Sequence, residues 1–503
     1  MPETAPAEAS RRKPTFLQAL TPVVVMIVLL VTGTVWLDIA PVILLIVAGT
    51  FAGAFALRLG LTWEQMLAAI CRKIDSTMPA LLILISIGML TGTWMISGTI
   101  PMMVDLGLRA IDPHWIIPVS FLITAVVSTL TGTSWGSVGT VGVALISVAG
   151  GLGASLPMTA GAIVAGAYFG DKMSPLSDTT NLAPVVAGTN LFAHIRHLLY
   201  TTVPAALVSL VIYFFLGLTQ TTGSVKDTGH QTQELLDFLG TSFTFSPLLL
   251  LPPLVVLAGA VLRKPPLPTI ILSSLIAAVL GGVLQGFSLS DLSTAASQGF
   301  SVDLLSGHAG VPHSVPAAAQ TLLNRGGLAS MTNVVLIGLA GFAFAGIITE
   351  AGCMDVLMTR LLRRVRRTGG IVLATVGSSV GVALATGTSY LTILVPGEAF
   401  KKVYAEHGLE PKNLSRTLED SGTVMVPLIP WSEAGMYMST ALGVATLSYA
   451  PYAFLCYLGA VFAVICGYTG FGIARSKSAQ SAQSAQSDQP AQPEDAPAEP
   501  VRP

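Results

Sequence analysis

The feature that most constrains this chain is a series of apolar runs, most of them roughly 18 to 22 residues long, the length a helix needs to cross a hydrocarbon core of ~30 Å. Phe16 to Leu37, Ile39 to Leu57, Met78 to Ile96, Leu198 to Leu218, Pro247 to Leu262, Met331 to Ile348 and Tyr449 to Tyr468 are clear examples. Only 10% of the 503 residues are charged, where a soluble protein carries about a quarter. Lipid is therefore the solvent for most of the chain, and the expected class is an all-α polytopic membrane protein of the cell (inner) membrane. The formal net charge of −1 gives no footprint for nucleic acid, so the positions of the charges matter more than their sum. Cys71, Cys353, Cys456 and Cys466 show no metal-ligand spacing and read as small packing residues.

The two ends frame the apolar part. Residues 1–15 carry Arg11, Arg12 and Lys13, the charge expected of a cytoplasmic segment before a first spanning helix. The apolar run behind them exceeds a signal-peptide core and lacks a small-residue cleavage site. Residues 475–503 repeat Ser-Ala-Gln and then turn rich in Pro and acid, a composition that cannot form a core and reads as a disordered cytoplasmic tail.

Self-comparison divides the middle into two related halves, 16–218 and 246–474, joined by an extracytoplasmic linker at 219–245. Pro41-Val-Ile-Leu-Leu recurs as Pro268-Thr-Ile-Ile-Leu at an offset of 227, and Gly92-(x5)-Gly98 recurs as Gly346-(x5)-Gly352 at 254. Thr131-Gly-Thr133-Ser134-Trp matches Thr386-Gly-Thr388-Ser389-Tyr at 255, and Gly170-Asp-Lys-Met-Ser-Pro175-Leu matches Gly422-Thr-Val-Met-Val-Pro427-Leu at 252. The jump in offset places about 27 extra residues in the polar stretch Gln285 to Ser330. If each half holds three spanning helices, a re-entrant hairpin, a broken helix and a last helix, it crosses five times. Lys and Arg then divide 21 inside against 3 outside, with Lys172 left within the membrane. Five is odd, so the expectation is two inverted-topology repeats: about 10 spanning helices plus two re-entrant hairpins, with broken helices at the midplane and both termini cytoplasmic. Counting the hairpins as plain pairs gives 12 segments and upsets the charge alternation.

The segment from Gly161 to Asn181 carries the chemistry. A helix entering near Pro157 reaches midplane depth about ten residues later and then meets Pro175, which breaks it. Asp171, Lys172, Ser174, Ser177, Asp178, Thr179, Thr180 and Asn181 cluster around that break. Ionised residues at such depth cost ~2.5 to 3.5 kcal/mol apiece on insertion scales and need a reason. Freed carbonyls and hydroxyls that coordinate a cation supply one; an internally neutralised ion-pair cluster is the bland alternative. The matching segment contributes Thr423, Ser432 and Glu433, with a single acid, so the first half is expected to carry the ion chemistry. Thr131, Thr133 and Ser134, and Thr386, Thr388 and Ser389, place hydroxyls at the two hairpin tips, where helix capping is the alternative role.

Three other patterns are weaker. Gly132-Thr-Ser134-Trp-Gly136 satisfies GxSxG, but its flanks are membrane helices and the seven histidines fall in loops or at helix ends, so a hydrolase is not expected. Gly166-xxx-Gly170 is a small-residue stripe that would seat the broken helix against a neighbour. Glu350 reads as a boundary acid.

With Gly166-Ala-Tyr-Phe-Gly-Asp-Lys-Met-Ser-Pro-Leu-Ser-Asp-Thr-Thr-Asn181 read out, the chain resembles the NhaC-type sodium/proton antiporter family from its first helix to about Gly470. The resemblance implies exchange of Na+ for H+ with no cofactor and no enzymatic activity, and names Asp178 first and Asp171 second as carboxylates that bind Na+. A carboxylate in a low dielectric is neutralised by a proton or by a cation, so the two compete for one site. The competing reading is an ion-coupled carrier of a small organic acid or amino acid, with Lys172 on the solute's carboxylate. The expected partners are the lipid bilayer, a monovalent cation, a small organic solute in that second reading, and a second copy of the chain as a homodimer.

Overall fold

The computed structural model describes residues 14–37, 39–219, 225–262, 264–305, 315–354, 356–357 and 367–476. The basic segment before residue 14, Arg263, the arginine cluster 360–366 and the tail from 477 lie outside the described residues. Among those described, the chain is helical with only two isolated bridges and no strand. Seven helices are long and apolar enough to span a membrane alone, and three bent pairs raise the number to ten.

The membership of that ten differs from the expected set. Ser134–Gly151, expected as a short hairpin arm, is 18 residues long and passes as a span by length and composition, as does Thr368–Thr386 at 19; Ile116–Thr131 remains short at 16. Each pair turns at a glycine in the left-handed region, Gly132 (φ 70°) and Gly387 (φ 65°), a conformation that a side chain would resist. The chain then restarts as helix from Thr133 or Thr388. Each tip rests on the break of its own half: a Cβ at Gly132 would strike Leu176, and one at Gly387 would lie 3.2 Å from Ser432.

Burial separates the periphery from the centre. Pro41–Arg58 is 28% buried and Leu191–Leu218 33%, whereas Ser134–Gly151 is 78% buried. The outward faces of the peripheral helices carry Ile43, Ile46, Leu207, Val211, Leu275 and Val279 to the surface, the apolar belt that lipid requires. The first broken helix, Leu156–Met173 followed by Asp178–Ala187, and the second, Pro411–Ser421 followed by Glu433–Leu442, lie inside this belt.

Two stretches expected as connectors are structured. Within the expected linker 219–245, Val225–Ser242 is a helix whose Leu235, Phe238 and Leu239 are buried; apolar residues at i, i+3 and i+4 in a polar sequence gave the signal. The polar stretch 285–330 contains helices Leu289–Ser297 and Ala317–Leu323, and the Gly327 amide donates to the Gly88 carbonyl at 2.7 Å. Gly88, Gly92 and Gly327 allow that backbone approach, since a Cβ at Gly92 would meet the Ala295 carbonyl oxygen.

The small-residue stripe seats the first broken helix as expected. Cβ atoms at Gly166 and Gly170 would collide with the carbonyl oxygens of Phe121 and Ala125, and Ser128 Oγ donates to the Ala167 carbonyl at 2.6 Å. Because the opposing atoms are backbone, they cannot rotate away. Gly170→Ala is therefore expected to destabilise the protein by about 1–3 kcal/mol, the usual penalty of overpacking, read as a lower unfolding temperature in detergent. A Gly369→Ala substitution, which meets only the ring of Tyr468, should cost less.

Candidate ion-binding site

The two breaks and the two tips border a cavity of about 1610 Å³ that is open at the surface of the protein. Thr131, Thr133 and Ser134 of the first tip, Thr388 and Ser389 of the second, and Asp171, Ser177, Asp178, Thr179 and Asn181 of the first break line it, with Thr423 and Glu433 from the second broken helix. Lys73 and Lys264 also reach its wall. Lys172, Ser174, Thr180, Thr386 and Ser432 do not.

Each tip touches a carboxylate. Ser134 Oγ donates to Asp171 Oδ2 at 3.0 Å, and the Ser389 amide donates to Glu433 Oε1 at 2.9 Å. A further contact joins the halves at the first tip, where Tyr437 stacks on Trp135 with ring centroids 4.3 Å apart and donates its hydroxyl to the Trp135 carbonyl at 2.5 Å. This contact borders the π-helical turn Val138–Gly142, where Gly139 leaves room for the Tyr437 hydroxyl. Asp178, the first residue after the break, is exposed on the cavity wall opposite Tyr390.

Several residues named from the sequence hold the breaks together. Thr180 Oγ1 donates to the carbonyls of Asp171 (3.1 Å) and Lys172 (3.3 Å), satisfying groups left by the broken ladder. The Asn181 amide donates to the carbonyls of Pro175 and Ser177 at 2.9 and 2.7 Å, so its side chain serves the break although it borders the cavity. Ser174 Oγ accepts from the Leu176 amide, Thr386 Oγ1 donates to the Val382 carbonyl, and Ser432 caps Glu433–Leu442 while donating to Val426 and Ile429. For Thr133, which accepts from the Gly136 amide at 3.2 Å, the capping role and the cavity position coexist.

Lys172 lies off the cavity wall. Its ammonium forms a salt bridge with Asp420, with side chains 2% and 0% exposed, an ion pair of the kind weighed as the alternative to ion or solute binding. Asp420 and its neighbour Glu419 were missed because the matching segment was read only from Gly422 onward. The signal was present: Glu419-Asp420 stands just before its break as Asp171-Lys172 stands before its own. Glu419 Oε1 accepts from Thr179 Oγ1 at 3.2 Å and Thr423 Oγ1 at 3.0 Å, one hydroxyl from each broken helix. Arg416, counted from the sequence among cytoplasmic loop charges, is buried, with Nη1 donating to the Gly472 carbonyl at 2.7 Å. His194 and His197, also buried, meet Ser415 (2.9 Å) and Asn413 (3.1 Å), fastening Leu191–Leu218 to the second broken helix.

Helices, a lipid-facing belt, two broken helices and a polar cavity between them define a multi-pass membrane carrier, a transporter and not an enzyme. A family model for the Na+/H+ antiporter family matches residues 166–471. The chain is 45% identical over 466 residues, 93% of this chain and 98% of the relative, to a protein of Haemophilus influenzae described as an uncharacterized Na+/H+ antiporter. It is 36% identical over 455 residues (90% and 96%) to the Na+/H+ antiporter NhaC of Alkalihalophilus pseudofirmus, and 32% identical over 463 residues (91% and 96%) to a malate-2H+/Na+-lactate antiporter of Bacillus subtilis. The chain belongs to the Na+/H+ antiporter family, and its activity is secondary antiport.

Removing one member of a buried ion pair strands the other charge, which costs about 3–5 kcal/mol, whereas an apolar pair of similar volume is tolerated. Lys172→Met alone and Asp420→Leu alone are therefore expected to unfold at clearly lower temperature than wild type. The double substitution should recover most of the loss, measured by thermal unfolding of the detergent-solubilised protein.

Proposed function

We propose that the protein exchanges cytoplasmic Na+ for external H+ by alternating access, with Asp171 and Asp178 as the carboxylates at which the two ions compete. The observation that carries this reading is the placement of Asp171: a carboxylate at a helix break, on a cavity wall, held by the hydroxyl of a hairpin tip. Hydroxyl and carboxylate oxygens suit a hard monovalent cation, and a low-dielectric wall favours neutralising the carboxylate by either ion but not both. Asp178, more open to the cavity, supplies the outer approach. The topology that fits has halves 16–218 and 246–474 of opposite orientation, with both termini cytoplasmic, so that one movement of the tips closes the cavity on one side and opens it on the other.

A second reading rests on the cavity itself. Its volume exceeds the ~300–1,000 Å³ of a pocket for a drug-sized ligand, and Lys73 and Lys264 give its wall positive charge. A small organic anion would meet Lys73, near Glu433 and 6.0 Å from the ring of Phe342, in the place first assigned to Lys172. The malate-2H+/Na+-lactate relative supports keeping this reading.

In proteoliposomes with an internal pH dye, an outward Na+ gradient should acidify the lumen of vesicles holding wild-type protein. Asp171→Asn and Asp178→Asn vesicles should fall to the level of empty liposomes. Wild type that moves no protons with Na+, yet takes up labelled malate, lactate or an amino acid, would favour the second reading.

A further inference from the structure

Glu419 lies behind the cavity wall, 1% exposed, on the last turn before the second break. Its Oε1 accepts hydrogen bonds from Thr179 Oγ1 and Thr423 Oγ1, and its Oε2 is buried with no hydrogen-bond partner among the described residues. Among the described residues no cation forms a salt bridge with it. Lys172, on the first broken helix, acts on it only through its charge and is itself bound to Asp420. Arg416, one turn earlier, gives its Nη1 to the Gly472 carbonyl and forms no salt bridge among the described residues. A buried carboxylate in that position needs a neutralising partner.

Thr179 and Thr423 line the cavity on one side and touch Glu419 on the other, so they are the partition between the two. A hydroxyl has one proton and two lone pairs, and each of these has a second acceptor at hand. Thr423 Oγ1 lies 3.0 Å from the Glu419 carbonyl, and Thr179 Oγ1 lies 3.2 Å from Ser177 Oγ. Turning both protons to those acceptors would aim lone pairs at the carboxylate's side. Two carboxylate oxygens and two hydroxyl oxygens, one from each half, would then converge on the crossing of the breaks.

We infer that Glu419, with the hydroxyls of Thr179 and Thr423, forms an occluded binding site for a dehydrated monovalent cation, reached from the cavity through the two threonines. The inference rests on the sodium antiport reading and extends it: Asp178 and Asp171 receive the cation, and Glu419 holds it where neither side of the membrane has access. Because its ligands come from both broken helices, an occupied site ties the halves together at the moment the cavity closes.

The test is equilibrium binding of radioactive sodium to the purified full-length protein, with transport by the same preparation measured in liposomes. Glu419→Gln keeps the shape and an acceptor for the threonines but removes the charge, and should weaken sodium binding about tenfold or more. Thr423→Val should also weaken it, while Thr423→Ser, which keeps the hydroxyl, restores it; sodium should raise the unfolding temperature of the wild type and of Thr423→Ser but not of Thr423→Val, a ligand-dependent shift that a purely structural threonine would leave in place. This threonine pair decides the matter if the Glu419→Gln protein does not fold. Wild-type protein that binds and exchanges sodium, with either Glu419→Gln or Thr423→Val binding as tightly, overturns the occluded site alone. Wild type that neither binds nor exchanges sodium sinks the antiport reading beneath it.

Discussion

Lys172 and Asp420 stand 248 residues apart in the chain, yet neither could occupy its position without the other. Each sits just before the break of its own broken helix, shielded from water, where an unpaired charge would cost several kcal/mol. Meeting there fixes one broken helix against the other to within the length of a hydrogen bond. Other polar contacts between the halves share that registration: Thr179 reaches Glu419, Ser415 reaches His194, and Tyr437 lies over Trp135. Such a pair contributes little net stability beyond what a packed apolar pair would supply; its effect is to select one arrangement of the halves.

Once the lysine's charge is taken by Asp420, the other acids acquire a different meaning. Asp171 is held by a tip serine, Glu433 by a tip amide, and Glu419 by two threonines. None of these contacts brings a full positive charge. The polar centre therefore has carboxylates that no salt bridge among the described residues neutralises, and a mobile cation or proton can take that place. The tips that hold two of these acids turn at left-handed glycines, and the first is followed by a π-helical segment.

The class of fold was legible because lipid imposes a composition that the sequence cannot hide, and the break at Pro175 was legible because proline acts locally. The Gly166 and Gly170 seat was visible for the same reason, since residues four apart share one helix face. What escaped was pairing at long range. Nothing local distinguishes Lys172 facing a solute from Lys172 facing Asp420, and Arg416 in a stretch with Lys412 looks like any cytoplasmic charge. Glu419 and Asp420 were hidden by the choice of register, because aligning on Gly170 and Gly422 leaves the two acids outside the matched segment. The helix at Val225–Ser242 was masked by its polar average, although its apolar residues are spaced to bury one face.

A monovalent cation held among oxygens from both broken helices can be sought directly. Thallium(I), a heavy monovalent cation, can be located by anomalous scattering in crystals of the full-length protein, with and without competing sodium. The expected result is a peak at the crossing of the breaks, beside Asp171 and Glu419, that sodium displaces. A sodium-displaceable peak found only elsewhere, or density for an organic anion against Lys73 with no cation at the breaks, would contradict it.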